Sequence, residues 1–157
     1  MFQVRGQFDC KMDAKGRIAL PARLREKLLA HSDGALVLTH YDGCIQAYTA
    51  ARWRKMERRF LGVSPFDRRS RAFLLAFVAG AAEVTPDSAG RINVPASLRR
   101  QAGLTKQCVL MSYLGTLEIW DPDRLAAKQA QALQTLDETG GLEGFLAWDA
   151  DDDGEDL

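Results

Sequence analysis

The chain has 157 residues, enough for one ordinary domain or for two small units sharing a core, and too few for an enzyme with separate lobes. Its hydrophobic share of 46% and charged share of 27% are those of a soluble globular protein, no apolar run approaches the roughly 18 residues of a membrane span, and the start MFQVRGQFDCKMD carries no secretory signal, so a cytoplasmic address is expected. The 21 basic and 21 acidic side chains cancel overall, yet residues 1–78 hold 15 Lys and Arg against 7 Asp and Glu, and residues 79–157 hold 6 against 14, so neutrality does not exclude a nucleic-acid partner.

In chain order, a strand is expected from Gln7 to Met12, then a tight turn with Asp13 and Gly16, then a strand that alternates through Arg17, Ile18, Ala19 and Leu20. Gly16 supplies a positive φ, and Asp13 can accept hydrogen bonds from the turn's amides. Pro21 suits a helix N1 position, which starts a short helix from Ala22 to Leu29. Val37 to Tyr48 reads as strand, turn at Gly43, strand. A helix follows from Ala50 to Leu61, with Trp53, Met56 and Phe60 on one stripe. Ser64 and Pro65 are expected to start a second helix running through Phe66, Arg69, Phe73 and Phe77. A strand from Ala81 to Thr85, a turn with Asp87 and Gly90, a helix from Ala96 to Ala102 after Pro95, and a strand–turn–strand from Val109 to Trp120 follow. Asp121 and Pro122 start a helix to about Leu136, which Gly140 and Gly141 end. The apolar piece Leu142 to Trp148 has no assigned role, and Asp149 to Leu157, with six acids in nine residues, is expected to be disordered.

These elements form an internal repeat. Asp13, Gly16, Arg17, Ile18, Pro21, Ala22, Leu24 and Arg25 recur 74 residues on as Asp87, Gly90, Arg91, Ile92, Pro95, Ala96, Leu98 and Arg99. After a two-residue slip, Val37 to Tyr48 matches Val109 to Trp120. One copy of about 45 residues leaves too much strand edge open to be stable alone, so the two are expected to pair in a single intertwined, barrel-like core with pseudo-two-fold symmetry.

The string D-x-x-G-R-I-x-[LV]-P-A-x-L-R, present at Asp13 and again at Asp87, resembles the MraZ family of regulators with two SpoVT/AbrB-type repeats, and the similarity covers residues 1 to about 140. The resemblance implies an α+β, mainly β fold: an intertwined, swapped-hairpin, AbrB-like double-repeat β-barrel with peripheral helices. It also implies a ring-like homo-oligomer that binds double-stranded DNA at repeated sites in the promoter of the division and cell-wall gene cluster, hence a nucleoid association. Arg17 and Arg91 correspond to the family's DNA contacts. The expected DNA-binding set is Arg17, Arg91, Lys15, Asp13, Asp87, Gly16 and Gly90. A departure between the copies is that Lys15 stands beside the first glycine where the second copy has Ala89, which puts equal use of the two turns in question.

The residues support this reading independently, because a two-stranded ribbon fits the major groove and arginine grips guanine edges bidentately. Each Asp could brace the arginine four residues on. A purely structural turn cap and salt bridge is the competing reading. The basic stretch from Arg52 to Arg71 could touch DNA, form a solvated face or make a subunit contact. The expected organisation is a first repeat at 7–49, a helical insertion at 50–79, a second repeat at 80–121, a C-terminal helix at 122–138 and an acidic tail at 139–157. Cys10, Cys44 and Cys108 form no CxxC pair, which reads as reduced structural thiols. His31 and His40 stand apart from each other and from any acidic cluster, and no nucleophile with its base is found, so no catalytic residue, cofactor, metal or small-molecule substrate is inferred. An oligomeric scaffold without DNA binding and an antitoxin-like regulator are the alternatives.

Overall fold

The computed structural model describes residues 4–31 and 34–146. The acidic run from Asp149 onward and Trp148 lie outside the described residues. The chain divides into two compact units, residues 1–122 and 123–157.

The first unit holds eight strands. β1 (Gly6–Lys11), β2 (Arg17–Ala19), β3 (Leu36–Tyr41) and β4 (Cys44–Thr49) belong to the first repeat, and β5 (Ala82–Val84), β6 (Arg91–Asn93), β7 (Gln107–Tyr113) and β8 (Thr116–Trp120) to the second. Six form one antiparallel sheet in the order β1-β7-β8-β4-β3-β5, and β2 pairs with β6 in a separate two-stranded ribbon. Renumbering each strand as its repeat partner reverses the six-strand order onto itself, which is the signature of a pseudo-two-fold axis. The axis passes through the rungs Ile18–Ile92 and Gln46–Glu118, about which both central ladders are self-symmetric.

The repeats exchange strands. β1 pairs with β7 of the other repeat, β5 with β3, and β2 with β6, whereas β1 and β2 share only the isolated bridge Met12–Ile18. The exchange is driven by burial: Ile18 and Ile92 are fully enclosed, and with Leu24, Leu36, Leu38, Ile45, Leu98, Leu110, Leu117 and Ile119 they fill one core between ribbon and sheet. The six-stranded sheet itself is open, and the ribbon completes the barrel-like enclosure.

α1 (Ala22–His31) and α4 (Ala96–Ala102) follow the ribbon strands. Pro95 occupies the N-cap, one place earlier than the N1 position its chemistry suggested, since its ψ of 143° is still extended. Gly103, with φ 63°, ends α4 in a left-handed cap, where Leu104 N donates to Arg99 O at 2.9 Å.

The insertion packs on the other face of the sheet. Val37 and Tyr48, which alternate with the core residues of β3 and β4, meet Trp53 and Phe77 in a second cluster. Trp53 comes from α2 (Ala50–Phe60), capped by the Thr49 side chain, with Met56 and Phe60 half-buried behind it. The next helix departs from expectation. It is not capped by Ser64 but by Asp67, whose carboxylate accepts from Ser70 N at 2.9 Å; α3 spans Arg68–Phe73 and widens into a π-helical turn over Leu74–Val78. Ser64 instead accepts from Phe66 N in a local turn, and Phe66 is 96% exposed. The wide turn brings Phe77 onto the sheet, where the Thr39 hydroxyl donates to its carbonyl.

The second unit holds α5 (Pro122–Glu138) from Asp123 onward, running two residues past the expected end, and the short α6 (Gly141–Leu146), which accounts for most of the apolar piece left unassigned from sequence. Among the described residues, no helix is long and apolar enough to cross a membrane.

Candidate nucleic-acid interface

Each repeat builds the same turn from local hydrogen bonds. Asp13 Oδ1 accepts from Lys15 N and Arg17 N, both at 2.9 Å, while Gly16 N donates to Asp13 O at 3.0 Å. Asp87 Oδ1 likewise accepts from Ala89 N at 3.0 Å and Arg91 N at 2.9 Å, with Gly90 N on Asp87 O at 2.9 Å. Gly16 and Gly90 have φ of 84° and 75°, as the turn chemistry required. The second carboxylate oxygen holds the arginine: Arg17 Nε lies 2.6 Å from Asp13 Oδ2 and Arg91 Nε 2.9 Å from Asp87 Oδ2. The backbone bond from Arg17, aided by its side chain, keeps the Asp13 carboxyl below the ordinary carboxylate range, and Arg91 does the same for Asp87.

Both arginines remain part-exposed, with 31% of the Arg17 side chain and 37% of the Arg91 side chain open to solvent. Among the described residues, Nε is the only guanidinium nitrogen of either that has a hydrogen-bond partner. The two Nη groups of each arginine are therefore presented on a stem whose direction the aspartate fixes.

Strand exchange decides where these groups point. In the ribbon Ile18 and Ile92 face the core, so Arg17, Ala19, Arg91 and Asn93 share the outward face. Arg91 stands opposite Ala19, which makes it the diagonal neighbour of Arg17, at a Cα separation of about 7–8 Å. From sequence, each arginine is tied only to the turn of its own repeat. The structure instead places both guanidinium stems on one small face, with a turn at each end.

The turns are also locked across the repeats. Leu20 N donates to Gly90 O and Val94 N to Gly16 O, both at 2.9 Å. The arginine of each following helix lies over the glycine of the other repeat: a Cβ at Gly16 would sit 2.7 Å from Arg99 Cζ, and one at Gly90 would sit 2.8 Å from Arg25 Cδ. Arg25 Nη1 reaches Ala89 O at 3.5 Å, and Arg99 Nε is buried with no hydrogen-bond partner among the described residues. Arg25 and Arg99 thus add positive charge behind each turn, and sequence reasoning left them out of the site. Their identity in the repeat alignment was the available signal. Lys15 is exposed beside the first turn.

The basic insertion is not part of this surface. Its cations are exposed, but α2 and the π-helical turn after α3 cover the sheet face opposite the core that the ribbon encloses. Arg52 also has structural work, with Nη1 donating to Gly115 O at 2.7 Å and its guanidinium 5.6 Å from the Tyr48 ring centre.

The family model described as "MraZ protein, putative antitoxin-like" matches residues 3–76 and again residues 77–139. The chain belongs to the MraZ family. Among its relatives, the transcriptional regulator MraZ of Methylobacillus flagellatus is 37% identical over 144 residues, covering 90% of this chain and 97% of the relative. The one from Nitratidesulfovibrio vulgaris is 38% identical over 135 residues, covering 85% and 91%. That of Ligilactobacillus salivarius is 36% identical over 133 residues, with the same coverage. The two family matches meet at Ala76 and Phe77, so the exchanged strands β1 to β4 and β5 to β8 fall one set to each MraZ repeat.

Proposed function

We propose that this MraZ family member is a transcriptional regulator that reads double-stranded DNA with the β2–β6 ribbon. The observation that carries the reading is the pair of guanidinium stems, Arg17 and Arg91, on one outward face with their Nη groups unpartnered among the described residues. A two-stranded ribbon is of a size to enter the major groove, where paired N–H donors match guanine O6 and N7. A diagonal spacing of about 7–8 Å corresponds to about two steps of 3.4 Å along a strand, so both arginines address a single short site. Asp13 and Asp87 orient them, Gly16 and Gly90 permit the turns, and Lys15, Arg25 and Arg99 supply charge toward the flanking phosphates.

One ribbon neutralises few phosphates, and affinity depends strongly on their number. A ring-like homo-oligomer on repeated promoter sites would raise affinity through effective concentration. The family resemblance directs this activity to the promoter of the division and cell-wall gene cluster, in the cytoplasm at the nucleoid. The relatives' names, all transcriptional regulators, support regulation over catalysis.

The test pairs a promoter-binding assay with sedimentation for the Arg17→Ala, Arg91→Ala double variant. Specific binding should vanish while the oligomer is unchanged. Undiminished binding would remove these arginines from the site, and a parent protein that binds no DNA would leave an oligomeric scaffold.

A further inference from the structure

Beneath the ribbon, two of the three cysteines face each other across the exchanged strands. Cys10 of β1 and Cys108 of β7 are register partners, and both side chains lie on the core face. Cys108 is buried, whereas Cys10 is half-buried. Two residues along the same ladder, Met12 N donates to Lys106 O at 2.8 Å, so the cysteine rung has the hydrogen-bonded phase. Residues opposed in that phase stand about 5.5 Å apart at Cα, within the window of roughly 4.4 to 6.8 Å that a disulfide spans. Cys108 Sγ donates to Thr105 O at 4.0 Å, and the two thiols are near enough that each perturbs the other, raising the pKa of Cys10 and lowering that of Cys108. At the symmetry-related rung the chain places Val84 against Leu36, so the packing itself does not call for sulfur. Cys44 sits at the start of β4, opposite Tyr41, with its Sγ on Tyr41 O.

We propose that Cys10 and Cys108 are an oxidation site at which a peroxide forms an intrachain disulfide, fastening the two repeats where they exchange strands. Hydrogen peroxide reaches the pair from the half-exposed Cys10 side and oxidises one of the two sulfurs. The O–O bond of the peroxide breaks, an S–O bond forms to give a sulfenic acid, and one water leaves. The other Sγ then attacks the oxidised one; the S–S bond forms, the S–O bond breaks, and the attacking thiol's proton leaves with hydroxide as a second water. Two thiols are oxidised and one peroxide is reduced. The opposed placement matters because the resolving sulfur is already at the sulfenic acid, which favours the bridge over further oxidation. The fastened strand is the one that leads into the Asp13 turn.

The test treats the full chain with stoichiometric hydrogen peroxide, alongside the Cys44→Ser, Cys10→Ser and Cys108→Ser variants. The parent and Cys44→Ser should each lose two hydrogens in intact mass, remain monomeric on denaturing non-reducing gels, yield a Cys10–Cys108 linked peptide and revert with dithiothreitol. Closing a loop of about 100 residues should raise Tm on the order of 10 °C, and the single Cys10 and Cys108 variants should show no such rise. A bridge to Cys44 or to a second chain, stable sulfenic acid on Cys10 in the parent, or a bridged protein that melts no higher would overturn the proposal. The peptide map on the parent decides the pairing even if a serine variant fails to fold.

Discussion

Replacing Arg17 by lysine isolates what the guanidinium contributes beyond charge. In the parent, Nε binds Asp13 at 2.6 Å and, among the described residues, neither Nη group has a partner, so one side chain is held and still has a bidentate end. A lysine ammonium can satisfy Asp13 or reach outward, but its single nitrogen cannot do both in fixed geometry. Folding should tolerate the change. The ion pair is about one-third exposed on each side, where such pairs contribute about 0–1 kcal/mol, and Asp13 retains the amides of Lys15 and Arg17. DNA recognition should not tolerate it, because a bidentate arginine–guanine pair is worth about 1–3 kcal/mol of discrimination, a factor of about 5 to 150. Fluorescence anisotropy with promoter and scrambled duplexes at one salt concentration measures this directly. Arg17→Lys should lose specific affinity nearly as far as Arg17→Ala while keeping more of the non-specific affinity. A lysine variant within about twofold of the parent on the promoter would refute the division of labour between Nε and Nη.

Gly16→Ala and Gly90→Ala should each cost about 1–2 kcal/mol from the left-handed backbone, lowering Tm by a few degrees, since each added Cβ also runs into the guanidinium end of the opposite repeat's arginine, Arg99 or Arg25. Acid should release the turns late: the Asp13 and Asp87 carboxyls lie below their ordinary 3.8 in the folded chain, so their contribution is complete above that value and lost as pH falls through the lower folded pKa. The amide resonances of Arg17 and Arg91 should accordingly hold steady at pH 5 and shift only below pH 3.8. Glu118→Ala should leave Tyr113 Oη and Trp120 Nε1, now bonded to it at 2.9 and 2.8 Å, without their acceptor; urea denaturation should show a loss of about 1–3 kcal/mol. In the Glu118→Gln variant the Tyr113 phenol, pushed up to about 12 by burial first and then by its bond to Glu118, should titrate lower.

Much of the site was legible because it is local. Asp13, Gly16 and Arg17 bond to one another within five residues, so the turn and its bracing follow from the motif wherever the chain carries it. The start of α3 was misread because Ser64-Pro65 and Asp67 are both competent helix openings three residues apart, and the choice fell to the Phe77 ring, which must reach Trp53 and Tyr48. Arg25 and Arg99 were missed because their contacts cross to the opposite repeat.

By itself the sequence determined the two turns, the positive φ of their glycines, the helix that follows each ribbon strand and the fact that the chain is built twice. It could not choose partners among near-identical segments: β2 meets the same pattern of side chains in its own repeat as in the other. That choice was made by enclosure, since pairing β2 with β6 sets Ile18 against Ile92 over a common core and leaves both arginines outside. Backbone bonds within a turn need only neighbours along the chain, whereas burying apolar surface depends on every element that closes over it, and so only the assembled fold could bring Arg17 and Arg91 onto one face.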